Sequence, residues 1–382
     1  MKEGRKMLNE EEKKQEIMKE EMVNDYYPSK RALSLIESLG SLVGIRKRGR
    51  AIKKDHIAKS DGFDVDKNIE MLEEIVKKNP THSGLQSRSL SVSDLSDRLY
   101  NQFAQNKNSI ANWFPDLVTA VERTKNEKDE SDFNFMLPKT KIMRLPIELA
   151  QFIRLEYQET EKEDRDFFND YIFKGFELEE DKTYFIKTGV FSSKFQFANT
   201  KCSEPLEMGE YFQVINNFAM QVGAGHSVDL TVREYIEDVE KNPTIYNGMP
   251  LRTEFRSFVN FDTGAVYGTV PYWHPIVMKR ALKMGLSDSM ERDYVSYKGH
   301  EEKLMDEFNK YVGLVNKELE KLIKNFGKLK GEYSIDVMKN GEDFYVIDMA
   351  LMSESALTEL LPSYIYSPVK SIETQTEEEY IK

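Results

Sequence analysis

Cysteine is almost absent from this 382-residue chain, which contains only Cys202. A single cysteine excludes a disulfide framework and any zinc site built from several thiolates, and it suits a reducing compartment. A catalytic role for Cys202 would need a basic partner that the sequence does not identify. We therefore expect Cys202 to be a small core residue.

Long apolar runs are also missing. No segment reaches the length of a transmembrane helix, and the charged N-terminus contains no apolar stretch of the kind found in signal peptides. The formal net charge of −12 argues against general nucleic-acid binding, because a surface that attracts phosphates needs a positive field. We expect a cytoplasmic protein without membrane binding, for which nucleic acid is not the expected partner.

One basic run, at residues 45–54, follows an amphipathic helix pattern at 30–44. An apolar helix with a basic flank fits binding to an anionic membrane or to RNA. A helix that packs on the body of the protein and is followed by a solvated basic loop explains the same pattern. We favour the second interpretation.

The pattern of apolar and polar residues changes along the chain. Residues 1–107 form a predicted helical extension, with helix patterns at 5–24, 30–44, 66–78 and 92–106. From residue 110, short aromatic and β-branched runs alternate with helical patterns, which is typical of an α+β fold. We divide this body into regions at 108–180, 181–236 and 237–362. The polar, acidic residues 363–382 are expected to form a disordered tail.

Residues 184–194 combine an apolar strand pattern with a Gly/Ser loop and two lysines. In this arrangement Lys187 would project from the strand into a cleft, and Lys194 would follow the loop. The hydroxyl groups of Ser192 and Ser193 and the loop N–H groups would face phosphates. An ordinary strand that ends in a surface turn explains the same pattern, so the segment alone leaves both interpretations open.

Residues 228–236 read as a β-branched strand that continues into Val232, Arg233, Glu234 and Tyr235. Such a strand fits a hinge between two lobes, whose backbone groups pair with the edge of adenine while a polar side chain reaches the ribose. A buried strand with solvated Arg233 and Glu234 is the other interpretation, and on this segment alone we favour it.

Several charged residues share one face of the strand predicted at 251–260. The two-residue period of a strand places on that face Arg252, Glu254, Arg256 and Phe258. These charged groups must contact solvent, one another or a ligand, because burying an unpaired charge costs free energy. A turn at 262–264 then leads to a second strand, which predicts a hairpin. Salt bridges between paired strands would also explain the charges.

Asp336 and Asp348 each lie among apolar residues in two further predicted strands. A two-residue turn at 340–341 would place the two aspartates on opposite faces of the hairpin. A three-residue loop over 340–342 would place them on one face, as a diagonal pair with Cβ atoms about 7–8 Å apart. We expect the three-residue loop, and with it two carboxylates that can hold Mg²⁺ together with phosphate oxygens.

In this order, the segments resemble the cell division cycle 123 family, a branch of the ATP-grasp superfamily. Residues 109–115 are similar to the family's Trp-Tyr-Pro opening, and residues 137–146 are similar to its Lys-Ser/Thr and Leu-Pro pattern. Lys187 and Lys194 resemble its loop of lysine, serine and a basic residue at the same spacing. Further matches to the family's hinge, its arginine strand and its paired metal aspartates lie at 232–235, 254–259, 336–337 and 346–348. The resemblance covers residues 108 to 362.

The resemblance implies an ATP-grasp fold, in which two α+β lobes grip ATP and Mg²⁺. It implies that Lys139 and Lys187 hold phosphates and that residues 232–235 hold adenine. Arg256 would meet the terminal phosphate or the acceptor, and Asp336 and Asp348 would bind Mg²⁺. If the protein is an enzyme, Arg256 and Glu254 are the catalytic candidates, and Glu254 or His274 would assist proton transfer.

Three functions follow from the resemblance. Family members bind ATP and support the assembly of translation initiation factor 2 through its gamma subunit. The resemblance therefore implies an ATP-dependent assembly chaperone or modifier of a protein partner, which would be that gamma subunit if the source is eukaryotic. An ATP-dependent carboxylate–amine ligase or phosphotransferase is the alternative, since ATP-grasp relatives at large are ligases. A degenerate fold that serves only for binding is the third possibility.

Two segments depart from the family pattern. Ala350 stands where the family has an asparagine that completes the metal shell, and alanine cannot bind a metal; Ser353 or Glu354 are the nearest replacements. Residues 270–274 replace the family's Ser-Gln-Arg-Asp-Tyr segment. The loss of the asparagine favours weak or absent ATP turnover.

Overall fold

The computed structural model describes residues 95, 97–127, 133–155, 160–283 and 287–366. The first three helix patterns of the predicted extension, the basic run and residues 367–382 lie outside these ranges. The helix pattern at 92–106 is represented by α1, Asp97–Ala104.

Two β-sheets form the centre of the described chain, which confirms the α+β prediction. The larger sheet consists, in spatial order, of β1 (Phe135–Met136), β11 (Asp343–Leu351), β10 (Glu332–Asn340), β8 (Glu254–Asn260) and β9 (Ala265–Pro271). The smaller sheet consists of β2 (Thr140–Arg144), β5 (Asp229–Glu234), β3 (Tyr184–Thr188) and β4 (Lys201–Cys202). Two short strands, β6 (Thr244–Ile245) and β7 (Met249–Pro250), pair only with each other.

Helices connect and cover these sheets. After α1 they are α2 (Ile110–Asn126), α3 (Ile147–Phe152), α4 (Lys162–Gly175), α5 (Phe197–Thr200), α6 (Met208–Gln221), α7 (Pro275–Lys283) and α8 (Asp288–Lys324). Short 3-10 turns lie at Lys194–Gln196, Pro205–Glu207, Met352–Glu354 and Thr358–Ser363. Within the described ranges, no helix combines the length and apolar character needed to span a bilayer.

The smaller sheet packs against α6 because this helix carries an apolar stripe. Its buried residues include Met208, Phe212, Ile215 and Ala219, spaced three or four apart as on one helical face. Cys202 lies in the same core, where burial raises the pKa of its thiol to about 11. The prediction of a small core cysteine is confirmed.

The larger sheet packs against α2 and the 37-residue helix α8. The hydroxyl group of Ser287 accepts a hydrogen bond from the backbone N–H of Met290 and so caps α8. Along the helix, Leu304, Phe308 and Val315 belong to its buried residues. Phe308 stacks on Phe255 of β8 with ring centroids 5.4 Å apart.

The β8–β9 hairpin forms as predicted, with Asn260 paired to Ala265. Gly264 has φ 69°, a backbone conformation that glycine adopts without the steric cost of a side chain.

The β10–β11 hairpin differs from the prediction in its turn. Asn340 pairs with Asp343, so the loop is a two-residue Gly341-Glu342 turn rather than the expected three-residue loop. Gly341 has φ 64°, while Glu342 is not among the residues with positive φ, as in a type II′ turn with glycine in its first central position. A bulge at Ile347 then shifts the register, and Asp336 lies directly opposite Asp348. The two aspartates therefore share a face, but as direct partners and not as a diagonal pair.

Candidate functional site

A cleft of about 320 Å³ lies between the two sheets. The smaller sheet contributes residues of β3 and β5, and the larger sheet contributes residues of β8, β10 and β11. The loop that follows β3, the segment that follows β11 and residues around Tyr235, Pro250 and Tyr272 also contribute to the lining.

Most residues predicted for the site line this cleft. They are Lys187, Ser192, Lys194, Arg233, Glu234, Tyr235, Glu254, Arg256, Asp336 and Asp348. Arg252 and Glu354 lie in the lining as well. Residues far apart in the sequence thus meet at one cavity.

The pleat of the smaller sheet explains which of its side chains reach the cleft. Phe185 pairs with Arg233 and Lys187 with Thr231, so the charged side chains occupy one face of the sheet. Val232 lies between Thr231 and Arg233 on the other face, where it is buried in the apolar core. The predicted contact of Val232 with a ligand would therefore have to come from its backbone.

Two other predicted residues also lie outside the lining. The Lys139 side chain is 74% exposed, and its Nζ atom lies 3.3 Å from a carboxylate oxygen of Glu234. Ser193 is buried with φ 50°, and its hydroxyl group donates to the carbonyl oxygen of Ile215 at 3.4 Å.

His274, predicted as a possible proton-transfer residue, does not line the cleft either. Its ring nitrogen Nδ1 accepts a hydrogen bond from the backbone N–H of Ile276 at 3.3 Å. Burial lowers the pKa of His274. These contacts place His274 in a supporting role next to the C-terminal segment, where its ring packs edge-on against Tyr364.

Lys187 joins the two sheets through an ion pair with Asp348. Its Nζ atom lies 2.7 Å from Oδ1 of Asp348, and its side chain is only 2% exposed. Burial lowers the pKa of Lys187. Burial alone would raise the pKa of Asp348, but Lys187 and Arg233 bring it below its ordinary value. The pair therefore places a buried ammonium group at the wall of the cleft.

Arg256 and Asp336 form a second ion pair in the larger sheet. Nε and Nη2 of Arg256 donate to the two oxygens of Asp336 at 2.8 and 2.7 Å. This bidentate geometry is among the stronger arrangements available to a guanidinium group. Burial opposes the charge on Arg256, yet Asp336 raises its pKa above the ordinary value.

Lys194 and Glu254 form a third pair, at 3.1 Å, across the cleft. Burial opposes the charge on Lys194, but Glu254, Tyr272 and Asp336 raise its pKa overall. Burial also raises the pKa of Glu254. The loop after β3 is thereby tied to the larger sheet.

Arg233 has one N–H donor group without a hydrogen-bond partner among the described residues. Its Nε atom donates to the Thr140 hydroxyl oxygen at 3.2 Å, and its Nη1 atom donates to the carbonyl oxygen of Ile347. Nη2 is buried and has no hydrogen-bond partner among the described residues. Burial lowers the pKa of Arg233 to about 10. Because Arg233 lines the cleft, this unsatisfied donor is a candidate contact for an acceptor group of a ligand.

Apolar side chains line another part of the cleft. They include Phe185, Phe197, Tyr235, Ile236, Met249, Pro250, Met338 and Ile347. Sequence reasoning identified the hinge around Tyr235 but not Phe185, Phe197 or Met338. The alternating pattern of β3 could have indicated Phe185, since it lies two residues before Lys187 on the same face.

The two aspartates are the residues that could hold a metal ion. Both line the cleft, but the described residues contain no group of three or more His, Cys, Asp or Glu side chains arranged to hold a metal ion. Glu354 also lines the cleft, and its carboxylate accepts a hydrogen bond from Asn108. Mg²⁺ commonly uses one or two carboxylates and completes its shell with phosphate oxygens and water. The two carboxylates therefore fit Mg²⁺ that arrives with a phosphate ligand.

Gly189 anchors the loop that forms part of the cleft wall. Its backbone N–H donates to Ser227 Oγ at 3.0 Å and to the carbonyl oxygen of Asp229 at 2.7 Å. Its own carbonyl oxygen accepts from Ile110 N at 2.8 Å. A Cβ atom at this position would lie 2.5 Å from the hydroxyl oxygens of both Ser109 and Ser227.

Replacing Gly189 by alanine is therefore expected to destabilise the protein by about 1–3 kcal/mol, because buried atoms must move to admit the methyl group. Gly299→Ala is the control, since a Cβ atom there meets nothing within 4 Å and lies inside α8. We expect the control to stabilise the protein by up to about 1 kcal/mol. Urea unfolding of both variants measures the difference, and equal stabilities would contradict the packing of Gly189.

No protein-family model and no curated protein sequence matches the chain. Among solved structures, Cdc123 from Schizosaccharomyces pombe is similar with a TM-score of 0.36 and 14% identity, covering 66% of this chain and 85% of that chain. A C-terminally truncated form of Cdc123 from the same organism gives a TM-score of 0.37 and 13% identity, with the same coverage of both chains.

Proposed function

We propose that the cleft binds ATP together with Mg²⁺ in the manner of an ATP-grasp protein. The observation that carries the proposal is the meeting of five basic side chains in one cavity that is also lined by apolar residues. The five are Lys187, Lys194, Arg233, Arg252 and Arg256. An oligophosphate needs several cations, and a purine ring needs an apolar slot with polar edges.

The spacing along β10 suits a ligand with an apolar and an anionic end. Met338 belongs to the apolar lining, and Asp336 lies two residues along the same strand. Two residues of a strand span about 7 Å. The Arg256–Asp336 pair therefore lies about one ribose unit from Met338 along the strand, whereas Glu254, the partner of Lys194, lies directly opposite Met338.

The proposed assignments follow from this order. Tyr235 and its neighbours would contact the base, and Lys187, Lys194, Arg233 and Arg256 would contact phosphates. Asp336 and Asp348 would hold Mg²⁺, which supplies charge neutralisation between the phosphates and the carboxylates. Lys139 would reach a ligand only if it left its contact with Glu234 at the edge of the cleft.

For the use of ATP we favour binding to a protein partner, as an assembly chaperone or modifier. The partner class comes from the sequence resemblance, and would be the gamma subunit of translation initiation factor 2 in a eukaryote. Ala350 lies in the lining of the cleft, where it offers no metal ligand, and this supports slow or absent turnover. A ligase or phosphotransferase is the second candidate, because Glu254 is buried beside the proposed phosphate site with a raised pKa.

Thermal unfolding with a series of ligands tests the proposal. At a concentration a hundred times its dissociation constant, ATP with Mg²⁺ should add about 2.7 kcal/mol and raise the melting temperature by a few degrees. AMP should have a smaller effect, because it lacks two of the phosphates. The absence of any shift with all nucleotides would contradict nucleotide binding.

A turnover assay separates the two uses of ATP. Under the chaperone hypothesis, ATP stabilises capture of one partner protein while ADP release stays near background. Under the ligase hypothesis, ADP or AMP release rises when an acceptor is added. A protein that binds ATP with neither effect would favour the binding-only alternative.

A further inference from the structure

Tyr272 occupies a fixed position in the lining of the cleft, directly after β9. Its backbone N–H donates to the carbonyl oxygen of Glu254 at 2.9 Å, which extends the pairing of β9 with β8. Its ring packs edge-on against Trp273, with centroids 4.8 Å apart. Trp273 is itself held by a hydrogen bond of 3.0 Å from Nε1 to the carbonyl oxygen of Arg252. These contacts give the ring of Tyr272 a rigid support.

Two basic side chains share this ring. Nζ of Lys194 lies 3.5 Å from the ring centroid of Tyr272, and Cζ of Arg256 lies 4.7 Å from the same centroid. Both distances fall within the range of about 6 Å for cation–π attraction. Lys194 comes from the loop after β3 and Arg256 from β8, so the ring joins cations supplied by both sides of the cleft.

The ring of Tyr272 attracts Lys194 and Arg256 without the full negative charge that a further carboxylate, beside Glu254 and Asp336, would add. Two cations near each other repel, and the negative face of the ring offsets part of that repulsion. A carboxylate would neutralise the cations and occupy their N–H donors. The face of the ring attracts both cations without taking up a donor beyond those already bound to Glu254, Asp336 and the carbonyl oxygen of Ala356.

We propose that Tyr272 is a positioning residue, which holds both Lys194 and Arg256 against its ring as a subsite for an oligophosphate. For the identity of its ligand, the terminal phosphates of ATP, this inference rests on the proposed function. We expect the subsite to give the cleft a preference for triphosphates over monophosphates, because only an oligophosphate has enough oxygens to contact Lys194 and Arg256 together with Lys187 and Arg233.

The test compares Tyr272→Phe and Tyr272→Leu with the wild type, using calorimetric titrations of ATP, AMP and inorganic tripolyphosphate. Phenylalanine keeps the π face, whereas leucine removes it at similar bulk. We expect Tyr272→Leu to weaken ATP and tripolyphosphate about tenfold. We expect AMP affinity in this variant, and all affinities in Tyr272→Phe, to stay within about twofold of the wild type.

Several results would overturn the inference. ATP binding unchanged in Tyr272→Leu would show that the ring is dispensable. An equal loss for AMP and ATP would show a general packing role, and a loss in Tyr272→Phe as large as in Tyr272→Leu would assign the effect to the hydroxyl group. Wild-type protein that binds tripolyphosphate but not ATP would contradict the nucleotide proposal while leaving the subsite standing. Wild-type protein that binds neither would contradict both.

A measurement on the wild type covers the case in which Tyr272→Leu does not fold. At 3.5 Å from a ring centroid, the terminal protons of Lys194 lie in the shielding region of the ring. We expect an upfield-shifted Lys194 signal in the NMR spectrum, which moves when tripolyphosphate is added. A Lys194 signal at the position of an exposed lysine would contradict the geometry on which the inference depends.

Discussion

Replacing Lys187 by methionine is expected to weaken ATP binding by about a hundredfold, because a charged hydrogen bond to phosphate contributes about 1.5–3 kcal/mol. The ammonium group is almost fully buried at the wall of the cleft, so neither water nor a neighbouring lysine can take its place. Methionine keeps much of the volume of the lysine side chain and limits the packing defect. Calorimetric titration with ATP and Mg²⁺ measures the change.

Lys174→Met provides the matched control. Lys174 also pairs with an aspartate, since its Nζ atom lies 2.8 Å from Asp170, but it lies on α4 and outside the cleft lining. This variant should bind ATP as the wild type does. Equal affinities for ATP in the wild type and in Lys187→Met would show that the nucleotide, if bound, lies elsewhere.

Changing Asp348 or Asp336 to asparagine is expected to abolish the gain in ATP affinity that Mg²⁺ provides. The two aspartates are direct partners across β10 and β11, and both line the cleft. An amide has no negative charge to offset that of the ion, and Mg²⁺ sites in proteins rely on carboxylates. Titrations with ATP in the presence of Mg²⁺ and in the presence of EDTA measure this gain for each variant.

Both aspartate variants should be less stable than the wild type. Asp336→Asn leaves the buried Arg256 without its bidentate anionic partner, which costs about 3–5 kcal/mol when a buried pair loses one member. Asp348→Asn likewise leaves Lys187, whose side chain is only 2% exposed, without its anionic partner. Asp343→Asn is the control, because Asp343 begins the same strand as Asp348 but is exposed. A full Mg²⁺ effect on ATP affinity in both cleft variants would contradict the proposed metal site.

The positions of strands in the sequence could be predicted where apolar and polar residues alternate clearly. The local patterns of Lys187 and Arg233 predicted strands but left their place at a cleft open, and the pairing of β3 with β5 puts both side chains on one face. The β8–β9 hairpin was predictable from the sequence, since residues 262–264 have the chemistry of a turn and two alternating strands flank them. Local patterns therefore predicted the strands and the hairpin, but not the cleft.

The pairing of Asp336 with Asp348 depended on features that local patterns do not contain. The expected three-residue loop was wrong, because Gly341 allows a tighter two-residue turn. That turn alone would have separated the aspartates, and the bulge at Ile347 reverses this effect. The bulge also leaves Ile347 O as acceptor for Arg233 of the other sheet, a contact between residues 114 positions apart.

The role proposed for Tyr272 could not be predicted from the sequence either. In the sequence it lies in a segment that departs from the family pattern, and one tyrosine next to a tryptophan indicates only apolar packing. The role proposed for Tyr272 depends on Lys194 and Arg256, which lie near its ring but come from different parts of the chain. Such a cluster is set by the tertiary structure and becomes visible only with it.

A crystal structure of the protein with a non-hydrolysable ATP analogue and Mg²⁺ would test the central claim most directly. We expect the base against Tyr235, Phe185 and Met338, and the metal between Asp336 and Asp348. We also expect phosphate oxygens within hydrogen-bond distance of Lys187 Nζ and of Arg233 Nη2. A cleft that stays free of nucleotide at saturating concentration, or an analogue bound at another surface, would contradict it.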